Sequence, residues 1–173
     1  MPYSHKEHKE LTKAWYEKLS PETVVDIGAG SGTYADLLRP VKQGNWTAIE
    51  IYAPNETKFN LRDKYDRVII ADIKYIDPQF IRSDLTIAGD IIEHLNYDDV
   101  ERILKKILNN CQHLLISLPI IHWDQHEVDG NIYETHHHHW SYDEIREQIT
   151  KYGKIIEEAK GEVLGVFLVR GAL

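Results

Sequence analysis

The strongest constraint on this chain is a change of periodicity that repeats along it: short apolar runs, each followed by a stretch whose apolar residues recur at helical spacing. Residues 23–27 form a β-branched run that leads into Gly28-Ala29-Gly30-Ser31-Gly32, after which Tyr34, Leu37 and Leu38 mark a helix ending near Pro40. The unit recurs with a strand at 46–51, a helix at 54–62 and a strand at 67–71. A short apolar strand at 85–88 precedes the clearest helix, with Val100, Ile103, Leu104, Ile107 and Leu108 on one face. Asp98 and Asp99 fall in its first turn and Lys105 and Lys106 towards its end, as the helix dipole favours. Residues 113–118 make a fifth strand. Near-continuous apolar strands separated by helices imply a parallel sheet covered on both faces and joined by right-handed crossovers.

The two ends of the chain read differently. Ser4 and Glu7 have capping-box spacing ahead of Leu11, Ala14, Trp15 and Leu19, and Ser20-Pro21 stops that helix. Ser141 and Glu144 repeat the spacing ahead of Ile145, Ile149 and Tyr152, with Gly153 placed as a C-terminal cap. The segments 154–160 and 162–170 are separated only by Gly161 and its neighbours, which demands an antiparallel hairpin. No linker, low-complexity tract or repeat interrupts the sequence, so residues 1–173 are expected to form one domain around one core.

Charge and composition narrow the function classes. A net charge of −8 makes the surface as a whole repel polyanions, so nucleic acid is not the expected partner. The basic clusters His5, Lys6, Lys9, Lys13 and Arg102, Lys105, Lys106 read as solvated helix faces. No apolar run approaches the roughly 20 residues of a membrane span, and the charged N-terminus is unlike a secretory signal. A cytoplasmic protein with no membrane partner is expected. The lone Cys111, near Leu108, Leu114 and Leu115, reads as a buried structural thiol and excludes an intramolecular disulfide.

A glycine-rich loop between a strand and a helix lets the backbone approach a ligand and presents N–H groups to it. Gly28, Gly30 and Gly32 are so placed, but the third glycine comes one residue earlier than in a dinucleotide fingerprint, which departs from the NAD pattern. Acidic residues stand at successive strand ends: Asp26, Glu50, Asp72 and Asp90. The carboxyl ends of parallel strands line one crevice, where Glu50 is placed to take both hydroxyls of a ribose and Asp72 to accept from an exocyclic adenine amine.

In this order VVDIGAGSGTY, AIEIY, ADI, GDIIEHL and LLISLPI resemble the successive motifs of class I S-adenosylmethionine (SAM)-dependent methyltransferases, over about residues 24–120. The resemblance implies a Rossmann-like α/β fold with a seven-stranded sheet, mostly parallel, closed by the C-terminal antiparallel hairpin, with helices on both faces. It further implies that Asp26, Gly28, Ala29 and Gly30 hold the methionine moiety of SAM, Glu50 the ribose, and Asp72 with Ile73 the adenine, on which Ile51 packs. Asp90 opens the motif facing the sulfonium and the acceptor. GNIYETHHHHWSYDEI is similar to a stretch of small bacterial and phage-type methyltransferases, with Ile132 where those carry proline.

Methyl transfer from a sulfonium requires alignment of donor and acceptor and, for a hydroxyl or amine, removal of a proton. Glu93 and His94, with His122, His126 and His136 to His139 on a polar segment at 122–140, are the candidate bases, His94 first among them and His136 beside it. Asp90, Glu93, His94 and His136 also resemble the ligand set of metal-dependent small-RNA 2′-O-methyltransferases, with Asp90 in place of a glutamate; a divalent metal is possible but not the favoured expectation. Trp123, Tyr133 and Trp140 are placed to wall an acceptor pocket. With little chain outside the core, the expected acceptor is an oxygen or nitrogen of a small molecule or glycan. The rival readings are a nicotinamide-dependent oxidoreductase and a SAM-binding protein that does not methylate.

Overall fold

In the computed structural model, which describes residues 5–173, seven strands form one sheet in the order β3-β2-β1-β4-β5-β7-β6. These are β1 (Thr23–Ile27), β2 (Asn45–Glu50), β3 (Arg67–Ile70), β4 (Ser83–Gly89), β5 (Cys111–Pro119), β6 (Lys154–Lys160) and β7 (Leu164–Arg170). The first five run parallel, and β7 lies antiparallel between β5 and β6. The expected seven-strand mixed sheet is therefore present, with the hairpin's second strand inserted next to β5 and its first strand at the edge.

Burial follows from that order. The edge strand β6 alternates between exposed and half-buried residues, whereas β7 is buried from Leu164 to Val169. Successive side chains of a strand point to opposite faces, and here they enter two cores. Val25, Leu114, Ile116, Phe167 and Val169 pack with Val100, Ile103, Leu104, Ile107 and Leu108 of α5 (Tyr97–Leu108) and with Ile145 and Ile149 of α6 (Tyr142–Thr150). Val24, Leu115, Val166 and Leu168 instead meet Trp15 and Tyr16 of α1 (Lys9–Leu19) and Tyr34, Ala35 and Leu38 of α2 (Thr33–Leu38). Cys111 is fully buried, and burial pushes its thiol up to about 12. No helix among the described residues is long and apolar enough to cross a membrane.

Three local expectations are corrected. The helix at 54–62 is two helices, α3 (Pro54–Lys58) and α4 (Leu61–Lys64), because Asn60 between them adopts a left-handed φ of 51° that asparagine tolerates. Ser4 of the first capping box lies outside the described residues, and Glu7 serves another element. Its carboxylate accepts the amides of Glu162 (2.9 Å), Val163 (3.0 Å) and Leu164 (2.5 Å), at the turn between β6 and β7. These bonds, that of Leu164 first, hold Glu7 below the usual carboxylate range. A Cβ at Gly161 would come 2.3 Å from the Glu7 carboxyl, so the turn approaches this closely only with glycine there. Gly153 donates to Ile149 at 3.0 Å without a left-handed φ; its lack of a side chain serves packing against Val169 and Leu108. The second capping box holds at Ser141, which accepts from the Glu144 amide at 3.2 Å.

Candidate active site

A cleft of about 520 Å³ opens at the carboxyl ends of the parallel strands, over the neighbours β1 and β4, whose crossovers leave in opposite directions along the sheet. The residues that the sequence assigns to ligand binding (Asp26, Gly28, Ala29, Gly30, Glu50, Ile51, Asp72, Ile73 and Asp90) and to catalysis (Glu93, His94 and His136) all line it.

One end of the cleft is built from the loops after β1, β2 and β3. Gly28 follows β1 at φ +67°, a backbone conformation that favours glycine, and a Cβ there would sit 1.8 Å from Ile91 Cδ1, which would have to move aside. The Gly28 amide donates to the Ile49 carbonyl at 2.7 Å, tying the loop to β2. Glu50 ends β2 and is 3% exposed; its two carboxylate oxygens accept the amides of Gly30 and Tyr52, each at 2.8 Å. Burial pushes Glu50 above the usual carboxylate range, and these amides pull it back. Each oxygen keeps acceptor capacity for a ligand hydroxyl. Asp72 Oδ1 accepts the Lys74 amide at 2.8 Å, while the buried Ile73 and half-buried Ile51 supply apolar walls. A paired acidic acceptor between apolar walls fits a nucleoside.

Asp26 is more enclosed than its assigned role suggests. Its carboxylate accepts the Tyr65 hydroxyl at 2.5 Å, and burial pushes it up to about 7 against that bond and the charge of Lys9. Lys9, which the sequence reads as part of a solvated face, is instead held 3.9 Å over the Tyr34 ring. Burial brings its ammonium down to about 8, opposed by the charges of Asp90 and Asp26. The helical pattern carried the signal: Lys9 shares its face with the buried Thr12 and Tyr16 at i+3 and i+7.

The other end is built from β4 onward. Asp90 takes a left-handed φ of 56°; its amide donates to the Ser117 carbonyl at 2.7 Å, and its Oδ1 is 3.3 Å from the Ser117 hydroxyl, which meets Tyr34 Oη at 2.8 Å. The following 3₁₀ turn, Ile92–His94, carries Glu93 into the interior at 2% exposure, with no hydrogen-bond partner on Oε2 among the described residues. Burial, then the charge of Asp90, raises Glu93 well above the usual carboxylate range.

His94 Nδ1 lies 3.1 Å from the Thr135 carbonyl and His136 Nδ1 2.7 Å from that of Trp123. A carbonyl can only accept, so both rings carry their proton on Nδ1 and leave Nε2 basic. Burial lowers His94 to about 4 and also lowers His136, which keeps both neutral at physiological pH. The rings lie 4.9 Å apart, edge to face, and donor atoms of Glu93, His94 and His136 fall within 4.8 Å of one another. This set can accept a proton, and its chemistry also fits a divalent cation. Asp90, the fourth member of the sequence-derived ligand set, is not part of that cluster because it is turned to Ser117.

The 122–140 segment divides its aromatic residues and histidines. Trp123, Tyr133, His136 and His137 line the cleft. Trp140 does not: it is buried and stacked on Tyr97 at 5.5 Å. His138 meets Glu144 at 2.9 Å, His126 is exposed, and His122 and His139 meet outside the cleft. Residues that the sequence reading missed include Asn131, which lines the cleft and accepts the Tyr133 amide at 3.1 Å, and Gln125, which donates to the Glu134 carbonyl at 2.7 Å across the segment.

Similar folds occur among solved structures. The N-terminal domain of EvdMO1 with SAH bound superimposes with a TM-score of 0.71 at 12% identity, covering 98% of this chain and 83% of that one. Human N-acetylserotonin methyltransferase in complex with SAM gives 0.72 at 14% identity, over 96% of this chain and 52% of that one. The mitomycin 7-O-methyltransferase MmcR gives 0.66 at 19% identity, over 94% and 54%. No curated protein sequence matches the chain. A family model for the methyltransferase domain matches residues 3–157, and with the strand order and strand-end cleft this identifies the chain as a member of the class I SAM-dependent methyltransferase family.

Proposed function

We propose that this chain transfers the methyl group of SAM to an oxygen or nitrogen of a small-molecule or glycan-type acceptor. The observation that carries the reading is the division of one cleft into an end with strand-end acidic acceptors between apolar walls and an end with two imidazoles that turn their Nδ1 atoms to backbone carbonyls. SAM supplies an electrophilic methyl group on a sulfonium. The chain's own residues supply alignment and a proton sink. Glu50 accepts the ribose hydroxyls, Asp72 and Ile73 bound the adenine with Ile51 against the ring, and the loop at Gly28, Ala29 and Gly30 follows the methionine chain beside Asp26 and Asp90. Lys9 brings a cation to that end, where a carboxylate of the amino-acid moiety has its counter-charge.

At the acceptor end His94 Nε2 takes the proton as the acceptor attacks, with His136 as its neighbour and the Thr135 carbonyl fixing its tautomer. Burial and then the charge of Asp90 raise the Glu93 carboxyl, which favours its neutral form beside the two imidazoles. The related folds support the cofactor and the oxygen acceptor: one binds SAH, one binds SAM, and one is a 7-O-methyltransferase.

The test is calorimetric titration of metal-stripped protein with S-adenosylhomocysteine and, separately, NAD. Micromolar binding of the former alone is the expected result; no binding withdraws the function and leaves the fold. A second reading, cation-assisted transfer, is favoured by the convergence of Glu93, His94 and His136. It requires turnover to depend on Mn²⁺ or Mg²⁺ and to lose that dependence in Glu93→Gln.

A further inference from the structure

Outside the cleft, His122, Asp124 and His139 bring one donor atom each within 4.8 Å of one another. We propose that these three residues form a transition-metal site that clasps the two arms of the 122–140 segment and thereby sets the acceptor wall of the cleft. His122 Nε2 is 3.2 Å from Asp124 Oδ2, and His139 Nε2 is 3.4 Å from Asp124 Oδ1. Zinc-like ions bind imidazole and carboxylate at about 2.0–2.2 Å in a tetrahedron, whose ligand atoms lie about 3.4 Å apart. Asp124 thus stands about one edge length from each imidazole, through different oxygens, and His139 Nε2, which also donates to the Trp123 carbonyl at 3.2 Å, passes its proton to Nδ1 when it takes the ion.

Two imidazoles and one carboxylate select Zn²⁺, Co²⁺ or Ni²⁺ over Mg²⁺ and Ca²⁺, which prefer oxygen-only shells. The side chains of His122 and Asp124 are 70% and 71% exposed, so the ion keeps positions for water. The ligands come from both arms: His122 and Asp124 from the one leaving β5, His139 from the one entering α6. Trp123 lies between the first two ligands, lines the cleft, and offers its carbonyl to His136 Nδ1 at 2.7 Å. An ion here takes His139 Nε2 from the Trp123 carbonyl, leaves that carbonyl to His136 Nδ1, and holds His122 and Asp124 on either side of it, without touching the cleft itself.

The experiment is titration of the metal-stripped full chain with Zn²⁺ by calorimetry and with Co²⁺ by visible absorption, on the parent and on Asp124→Asn, His139→Gln, His94→Gln and Glu93→Gln. The expected result is one ion per chain with micromolar affinity. Asp124→Asn and His139→Gln should each weaken it by at least about tenfold, the loss that removal of even an outer-shell partner causes. His94→Gln and Glu93→Gln should leave it unchanged. Absence of binding overturns the proposal, as does loss of the ion in Glu93→Gln with retention in Asp124→Asn, which would put it in the cleft. A uniform small loss in every histidine variant, with His126→Gln as the control, would mean diffuse association and also overturn it. S-adenosylhomocysteine binding by each variant checks folding separately from the metal.

Discussion

The two ends of the cleft are made in different ways. The end proposed to hold the nucleoside is backbone-defined: Gly28, Glu50 and Asp72 stand at the ends of adjacent parallel strands, and their positions are fixed by the ladder and by amides such as those of Gly30 and Tyr52. The acceptor end is closed by a 3₁₀ turn and by a long segment held to it through contacts such as the His137 amide on the Glu93 carbonyl at 2.8 Å. That segment leaves Ile132 60% and Tyr133 46% exposed. A scaffold-borne end suits the part of the reaction that never changes, and a loop-borne end suits the part that distinguishes acceptors. The difference teaches that the cofactor half and the acceptor half should fail separately.

The sharpest way to break the comparison is His94→Gln. Loss of a general base lowers turnover by at least about 100-fold, while S-adenosylhomocysteine affinity should stay within a few-fold of the parent. Equal loss in binding and turnover would return His94 to a wall residue and merge the two ends. Glu50→Ala probes the opposite half. Removal of a charged hydrogen-bond acceptor should weaken S-adenosylhomocysteine by about 2 kcal/mol, roughly 30-fold, with turnover at saturating SAM little changed; unaltered affinity would move the ribose elsewhere. Lys9→Met is expected to have a smaller and more selective effect. S-adenosylhomocysteine should bind about tenfold more weakly, whereas 5′-methylthioadenosine, which lacks the amino-acid moiety, should bind as before. A shared loss for both ligands would make Lys9 a packing residue over Tyr34.

The same division explains what could be read from the sequence. Strand ends are set by short-range periodicity, so Glu50, Asp72 and Asp90 were legible from acidic residues that follow apolar runs. The glycine spacing was legible because Gly28 has a steric reason tied to Ile91. Legibility failed where a residue's partner is distant along the chain. Glu7 has the spacing of a helix cap, yet it binds amides more than 150 residues away. Trp140 has the composition of a pocket wall, yet Tyr97 covers it. His94 was legible as a residue of the cleft, but not its tautomer, which depends on a carbonyl 41 residues later. The outer cluster of His122, Asp124 and His139 was invisible for the same reason, since only the fold of the 122–140 segment brings its arms together.

The two ends also differ in how stability depends on pH, where they carry opposite signs. Asp26 is raised to about 7 in the folded protein, so between the ordinary carboxylate value and 7 the folded state holds a proton that the unfolded state has released. Its contribution is present at low pH and is lost as pH rises towards 7. His94 is lowered to about 4, so from 6.5 down to 4 the unfolded state holds the extra proton, and the contribution is present at high pH and lost as pH falls. Denaturant unfolding across pH 4 to 7 should therefore show Asp26→Asn gaining on the parent as pH rises and His94→Gln gaining as pH falls, each by no more than about 1.4 kcal/mol per pH unit. Parallel trends in the two variants would mean that the two groups titrate as one network, and the cleft would then have to be treated as a single electrostatic unit rather than two ends.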